Sequence, residues 1–133
     1  MGTVSMAMFL AALNNLEVCA VDVSCAFLQA LCKEKIYTRA GPKFGALDGP
    51  SIVGRTLVLH KALYGTRTAS SAFHEACARV LLAMGYTPTI ADPDLKIRDC
   101  GDHYKYIATW VDDLLILSRD PVSYTHLTLP TIA

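Results

Sequence analysis

Three aspartates carry the chemistry this sequence offers. Asp112 and Asp113 are adjacent within the apolar run Trp110-Val111-Asp112-Asp113-Leu114-Leu115-Ile116-Leu117, and Asp22 lies in a second such run, Val18-Cys19-Ala20-Val21-Asp22-Val23. Charges placed in strand-like apolar segments are costly unless a cation meets them, and a divalent metal is the strongest candidate. An Asp-Asp pair alone is an ordinary turn or helix-cap feature. The third acid in a similar setting is what points toward metal. If the two segments lie side by side, three carboxylates converge at one edge of a sheet, self-repelling when empty and stable around Mg²⁺. Two ions about 3.5–4 Å apart are the usual apparatus of in-line phosphoryl or nucleotidyl transfer. On spacing alone, a metal site and a capped turn both remain open.

The elements that must position these acids follow from periodicity. Tyr104, Tyr106, Ala108 and Trp110 alternate, and the Leu/Ile run after Asp113 reads as a partner strand, so Val-Asp-Asp falls where a tight hairpin would turn. Glu17 to Val23 reads as a buried strand. Before it, Met6, Phe9, Leu10 and Leu13 mark one face of a helix closed by Asn14-Asn15. Ala26 to Leu31 suits a helical turn. Lys35–Arg39 and Thr56–His60 suggest a hairpin whose long tip is rich in Gly and Pro. The clearest helix carries Ala69, Ala72, Phe73, Ala76, Cys77, Val80, Leu81 and Met84, ends at Gly85, and can be capped by Thr68, Ser70 or Ser71. Ile90 to Ile97, with Asp92-Pro93-Asp94, is a turn entering a strand. The expected fold is α+β: an antiparallel sheet with helices packed on one face.

At 133 residues and 53% apolar content, the chain can bury one core. Its net charge of zero argues against a strongly basic nucleic-acid module, yet the charge is unevenly spread. Residues 33–79 hold eight of the twelve basic side chains against three acids, so the middle can face an anion while the acidic flanks supply metal ligands. Five cysteines show no Cys-x-x-Cys pair and read as reduced thiols of an intracellular protein. No run approaches membrane-spanning length. Residues 122–133 fit the pattern poorly and closely resemble an in-frame translation of a transposase-type sequencing adapter. The expected domain therefore covers 1–121, followed by a non-native tail.

Three segments in order, Val21-Asp22-Val23 through Ala26-Phe27-Leu28, Lys61-Ala62-Leu63-Tyr64-Gly65 and Trp110-Val111-Asp112-Asp113, resemble the palm of reverse transcriptases from copia-type LTR retrotransposons. Lys35-Ile36-Tyr37, Gly85-Tyr86 and Ala91-Asp92-Pro93-Asp94 are smaller echoes. The resemblance implies a nucleotidyltransferase, an RNA-directed DNA polymerase fragment of a polyprotein. Asp22 and Asp112 would bind two Mg²⁺ ions (Mn²⁺ being a possible substitute), Asp113 would be the less direct third carboxylate, and the backbone of Val23 would lie by the metal and triphosphate. Phe27 matches the steric gate against a 2′-hydroxyl. Tyr64, Gly65 and Arg67 match residues that meet the incoming nucleotide, and Trp110 and Val111 the primer end.

The implied partners are a primed RNA or DNA template, deoxynucleoside triphosphates, and the thumb, RNase H and integrase regions of the polyprotein, in a cytoplasmic virus-like particle. Thr66, Ser70-Ser71, Trp110 and Lys96 depart from the family pattern without removing a metal ligand. With thumb and part of the fingers missing, the isolated chain is expected to lack processive activity. Two rivals stand beside this reading. One is a degenerate, non-catalytic retroelement remnant. The other is a small Mg²⁺-binding phosphoryl-transfer or signalling domain, for which the sheet would be parallel.

Overall fold

The computed structural model describes residues 2–120. In chain order the elements are α1 (Thr3–Asn14), β1 (Glu17–Asp22), β2 (Tyr37–Arg39), α2 (Gly45–Asp48), β3 (Thr56–Val58), α3 (Ala69–Ala83), β4 (Thr87–Pro88), β5 (Leu95–Asp99), β6 (Tyr104–Trp110) and β7 (Asp113–Ser118). Strand alternation in 104–118 builds the centre of the main sheet, whose order is β1-β7-β6-β5-β4, antiparallel throughout. β2 and β3 form a separate antiparallel pair, and α2 with short 3₁₀ turns fills the tip between them. The α+β class is as expected. The antiparallel order removes the parallel-sheet rival.

The main sheet is covered on both sides, which corrects the expected packing of the helices on one face: β6 and β7 carry apolar side chains toward both faces, so α1 covers one and α3 the other. Ile107, Leu114 and Ile116 point toward α3 and pack with Phe73, Ala76, Cys77 and Leu81. Their neighbours in sequence, Tyr106, Ala108 and Leu117, point the other way and pack with Ala7 and Ala11 of α1. This is the period-2 alternation of a strand serving two cores.

α3 matches its expected stripe and ends in a Schellman turn. Gly85 takes φ +87°, its N–H donates to the Leu82 carbonyl, and the Tyr86 N–H donates to the Leu81 carbonyl. Thr68 holds the N-cap position, but its side chain makes no capping bond; the Ser71 hydroxyl donates instead to the Thr68 carbonyl.

Two further expectations need correction. The face of α1 against the sheet is Ala7 and Ala11, flanked by half-buried Met6 and Leu10, whereas Phe9 and Leu13 are 53% and 65% exposed. Small residues let the helix axis approach the strands closely, so the alanines turn inward and the larger side chains remain outside. β1, expected to be buried, lies at the sheet edge among the described residues and pairs only with β7; Asp22 on it is exposed. The adapter-like tail, 122–133, lies outside the described residues. All five cysteines are free thiols, and among the described residues no helix is long and apolar enough to cross a membrane.

Candidate active site

The β6–β7 hairpin turns on two residues. Trp110 pairs with Asp113, leaving Val111 and Asp112 as the turn itself. Val111 adopts φ +53°, a left-handed conformation that is a genuine outlier for a β-branched residue. Such strain persists only where the surroundings over-determine the backbone, and it concentrates at functional sites.

β7 carries the hairpin to β1 in a register that pairs Asp22 with Asp113. Directly opposed residues of an antiparallel pair share a face, with Cβ atoms about 4.5–5.5 Å apart. Asp22, Asp113 and Trp110 therefore stand on one side of the sheet. Asp112 is brought alongside by its backbone, since the Val23 N–H donates to the Asp112 carbonyl at 3.4 Å. The structure thus gathers residues 22, 23 and 110–113 at one strand end. None of the three aspartates makes a salt bridge among the described residues.

A groove of about 380 Å³ opens beside these acids, bordered by Asp22, Asp113, Trp110, Ala20, Leu115 and Val4. Among the described residues no three His, Cys, Asp or Glu side chains form a preformed metal cage. The donor set nonetheless fits a hard cation: only carboxylate oxygens, exposed at Asp22 and Asp113 and not neutralised by a base. Mg²⁺ is commonly held by one or two carboxylates together with waters and substrate phosphates rather than by a full protein cage.

Phe27 and Tyr64 meet elsewhere in the fold. The segment around Lys61 runs antiparallel to that around Leu31, with the Ala62 N–H donating to the Ala30 carbonyl and the Cys32 N–H to the His60 carbonyl. This places the Tyr64 ring against Phe27 at a centroid distance of 4.4 Å, with Phe73 at 6.2 Å on Phe27. Phe27 is 9% exposed and Tyr64 50% exposed, so the ring surface that solvent meets is mainly that of Tyr64. Gly65 takes φ +89° with open space where a side chain would project, so any substitution there is strained by conformation and not by collision. Arg67 is exposed at the entry to α3.

Sequence reasoning missed the polar cluster behind the hairpin: Thr109, Asp94, Asp92, His74 and Thr3. Asp92-Pro93-Asp94 was visible as a turn, but its partners lie on three distant elements. The local signal was a short acid two residues before a backbone N–H, an Asx-turn pattern.

A family model described as reverse transcriptase (RNA-dependent DNA polymerase) matches residues 1–127. The chain is 33% identical over 113 residues to the retrovirus-related Pol polyprotein from transposon RE1 of Arabidopsis thaliana, covering 85% of this chain and 7% of the polyprotein. It is 29% identical over 112 residues to the corresponding polyprotein from transposon TNT 1-94 of Nicotiana tabacum, covering 84% of this chain and 8% of the polyprotein. It is also 31% identical over 107 residues to the putative transposon Ty5-1 protein YCL074W of Saccharomyces cerevisiae, covering 80% of this chain and 34% of that protein. The chain therefore spans a small part of the relatives it matches. No solved structure matches it.

Proposed function

The chain belongs to the reverse transcriptase (RNA-dependent DNA polymerase) family, related to copia-type retrotransposon Pol polyproteins, and from that premise we propose that it is the palm portion of an RNA-directed DNA polymerase. The reaction is nucleotidyl transfer from a deoxynucleoside triphosphate to a primer 3′-hydroxyl on an RNA or DNA template. The observation that carries this reading is the pairing of Asp22 with Asp113 across β1 and β7, with Asp112 in the adjoining turn.

Asp22 and Asp112 are the proposed metal ligands, and Asp113 completes the carboxylate set. Held there, two Mg²⁺ ions would supply a lowered pKa at the attacking hydroxyl and charge neutralisation on the triphosphate. The protein's own work is positioning and electrostatics. Asp22 and Asp113, held by the strand ladder, present negative charge at a fixed spacing. Trp110 and Val111 support the primer end, and the exposed Trp110 ring suits stacking against a terminal base. Phe27 limits the room for a 2′-hydroxyl through Tyr64 stacked on it, so the two rings discriminate as a unit. Gly65 lets backbone approach the nucleotide, and Arg67 meets a phosphate.

The test is an Mn²⁺ titration of this chain against an Asp22→Asn/Asp112→Asn double variant. Trp110, the single tryptophan, reports by paramagnetic quenching. The expected result is at least tenfold weaker quenching affinity in the variant. Equal affinity would place the metal elsewhere and overturn the reading.

A further inference from the structure

We propose that the Asp92–Pro93–Asp94 turn is a positioning device for the carboxylate hairpin, acting through Thr109. This rests on the polymerase reading and deepens it by assigning a part to residues that carry no metal and touch no substrate.

Thr109 is 8% exposed and directly precedes Trp110. Its N–H donates to the Asp94 carbonyl at 3.0 Å, and its Oγ1 donates to the same oxygen at 3.2 Å. One carbonyl thus anchors the hairpin base twice.

Asp94 is itself fixed from several directions. Its N–H donates to Asp92 Oδ1 at 2.9 Å, and its Oδ1 accepts from His74 Nε2 of α3 at 2.6 Å. Asp92 Oδ2 accepts from Thr3 Oγ1 at the start of α1 at 2.5 Å, and the Pro93 carbonyl accepts from Lys96 Nζ at 3.2 Å. The turn therefore ties together α1 and α3, which cover opposite faces of the sheet, and passes their combined position to β6.

Packing does not require this arrangement. Thr109 lies opposite Leu114 and between apolar neighbours, so valine would fill the same space, and the backbone N–H would still satisfy the Asp94 carbonyl. The hydroxyl adds a second, angle-fixing bond two residues before Val111, whose left-handed backbone needs such over-determination. A hairpin base free to tilt would lose the alignment of Asp113 with Asp22, and a misplacement of about 1 Å is enough to weaken a preorganised site.

The experiment is the Mn²⁺ titration read by Trp110 quenching on the 133-residue chain, applied to Thr109→Val, Thr109→Ser and His74→Ala, with circular dichroism to confirm folding. Thr109→Val should bind Mn²⁺ three- to tenfold more weakly, Thr109→Ser should restore affinity to within twofold, and His74→Ala should weaken it about two- to threefold. Restoration by serine separates positioning from bulk packing. Wild-type affinity in Thr109→Val would overturn the inference while leaving Asp22-dependent binding, and so the polymerase reading, intact. If Thr109→Val fails to fold, the exposed His74→Ala decides, with unchanged affinity counting against the proposal. Quenching of the wild type that is insensitive to Asp22→Asn would overturn both.

Discussion

Asp22 stands directly across the β1–β7 ladder from Asp113, two like charges in the register position where side chains on adjacent strands come closest to touching. Like charges directly opposed in a sheet are destabilising, by roughly 0.2–1 kcal/mol. Asp113→Asn should therefore raise stability in metal-free, low-salt buffer. At about 0.5 kcal/mol, the expected rise in Tm is about 2 °C for a domain of this size. The gain should shrink at high salt, because both groups are exposed and screened. Thermal melts of both proteins at two ionic strengths check this; an unchanged or lower Tm in the variant at low salt would contradict it.

α3 offers a paired comparison of neighbouring residues. Leu81 is 0% exposed in the core beneath the sheet, whereas Leu82 is 59% exposed. Leu81→Ala should cost about 2–5 kcal/mol through lost burial and a residual cavity. Leu82→Ala should stay within about 0.5 kcal/mol. Urea unfolding of both variants measures the contrast, and a loss at Leu82 as large as or larger than that at Leu81 would contradict this assignment of the helix's faces.

The contact between α1 and the Asp92 turn predicts a pH dependence. The Thr3 hydroxyl, and after it the Asp94 N–H, hold the Asp92 carboxyl below the usual aspartate range. A carboxyl lowered in the folded state contributes stability above its unfolded value, near 3.9, and loses it as pH falls through the lower folded value. Thr3→Ala should therefore lower Tm by a constant margin between pH 5 and 7, and the margin should close below about pH 3.9. Melts at pH 7, 5 and 3 test this. A margin that persists at pH 3 would assign the loss to helix α1 itself.

Much of this arrangement was legible in the sequence where one local rule acted alone. α3 has a single apolar stripe and a glycine stop, and both are where the pattern put them. The hairpin at Val111-Asp112 followed from alternation on either side. α1 is apolar on nearly every side, so its pattern favours the larger residues as the core; it is the small Ala7 and Ala11 that permit close approach. β1 misled in the opposite way, since an apolar run does not say whether one or two neighbours flank the strand. Asp22 and Asp113 come directly opposite one another, and only the two-residue turn determines that Asp113, and not Asp112, enters the ladder there. The ties from Asp92 and Asp94 to Thr3, His74 and Thr109 span 15 to 89 residues, beyond the reach of any local pattern.

The position of β1 gives its acids a second duty. Along Val18-Cys19-Ala20-Val21 the strand is an uncharged apolar segment at a sheet edge among the described residues, the kind of template on which other chains stack. Glu17 and Asp22 bracket that segment, placing a negative charge at each end, as gatekeepers do in natural sheets. Neutralising Asp22 would relieve repulsion inside one molecule while lifting repulsion between molecules. A variant that melts later can thus precipitate sooner, and the charge that weakens the fold also keeps it in solution.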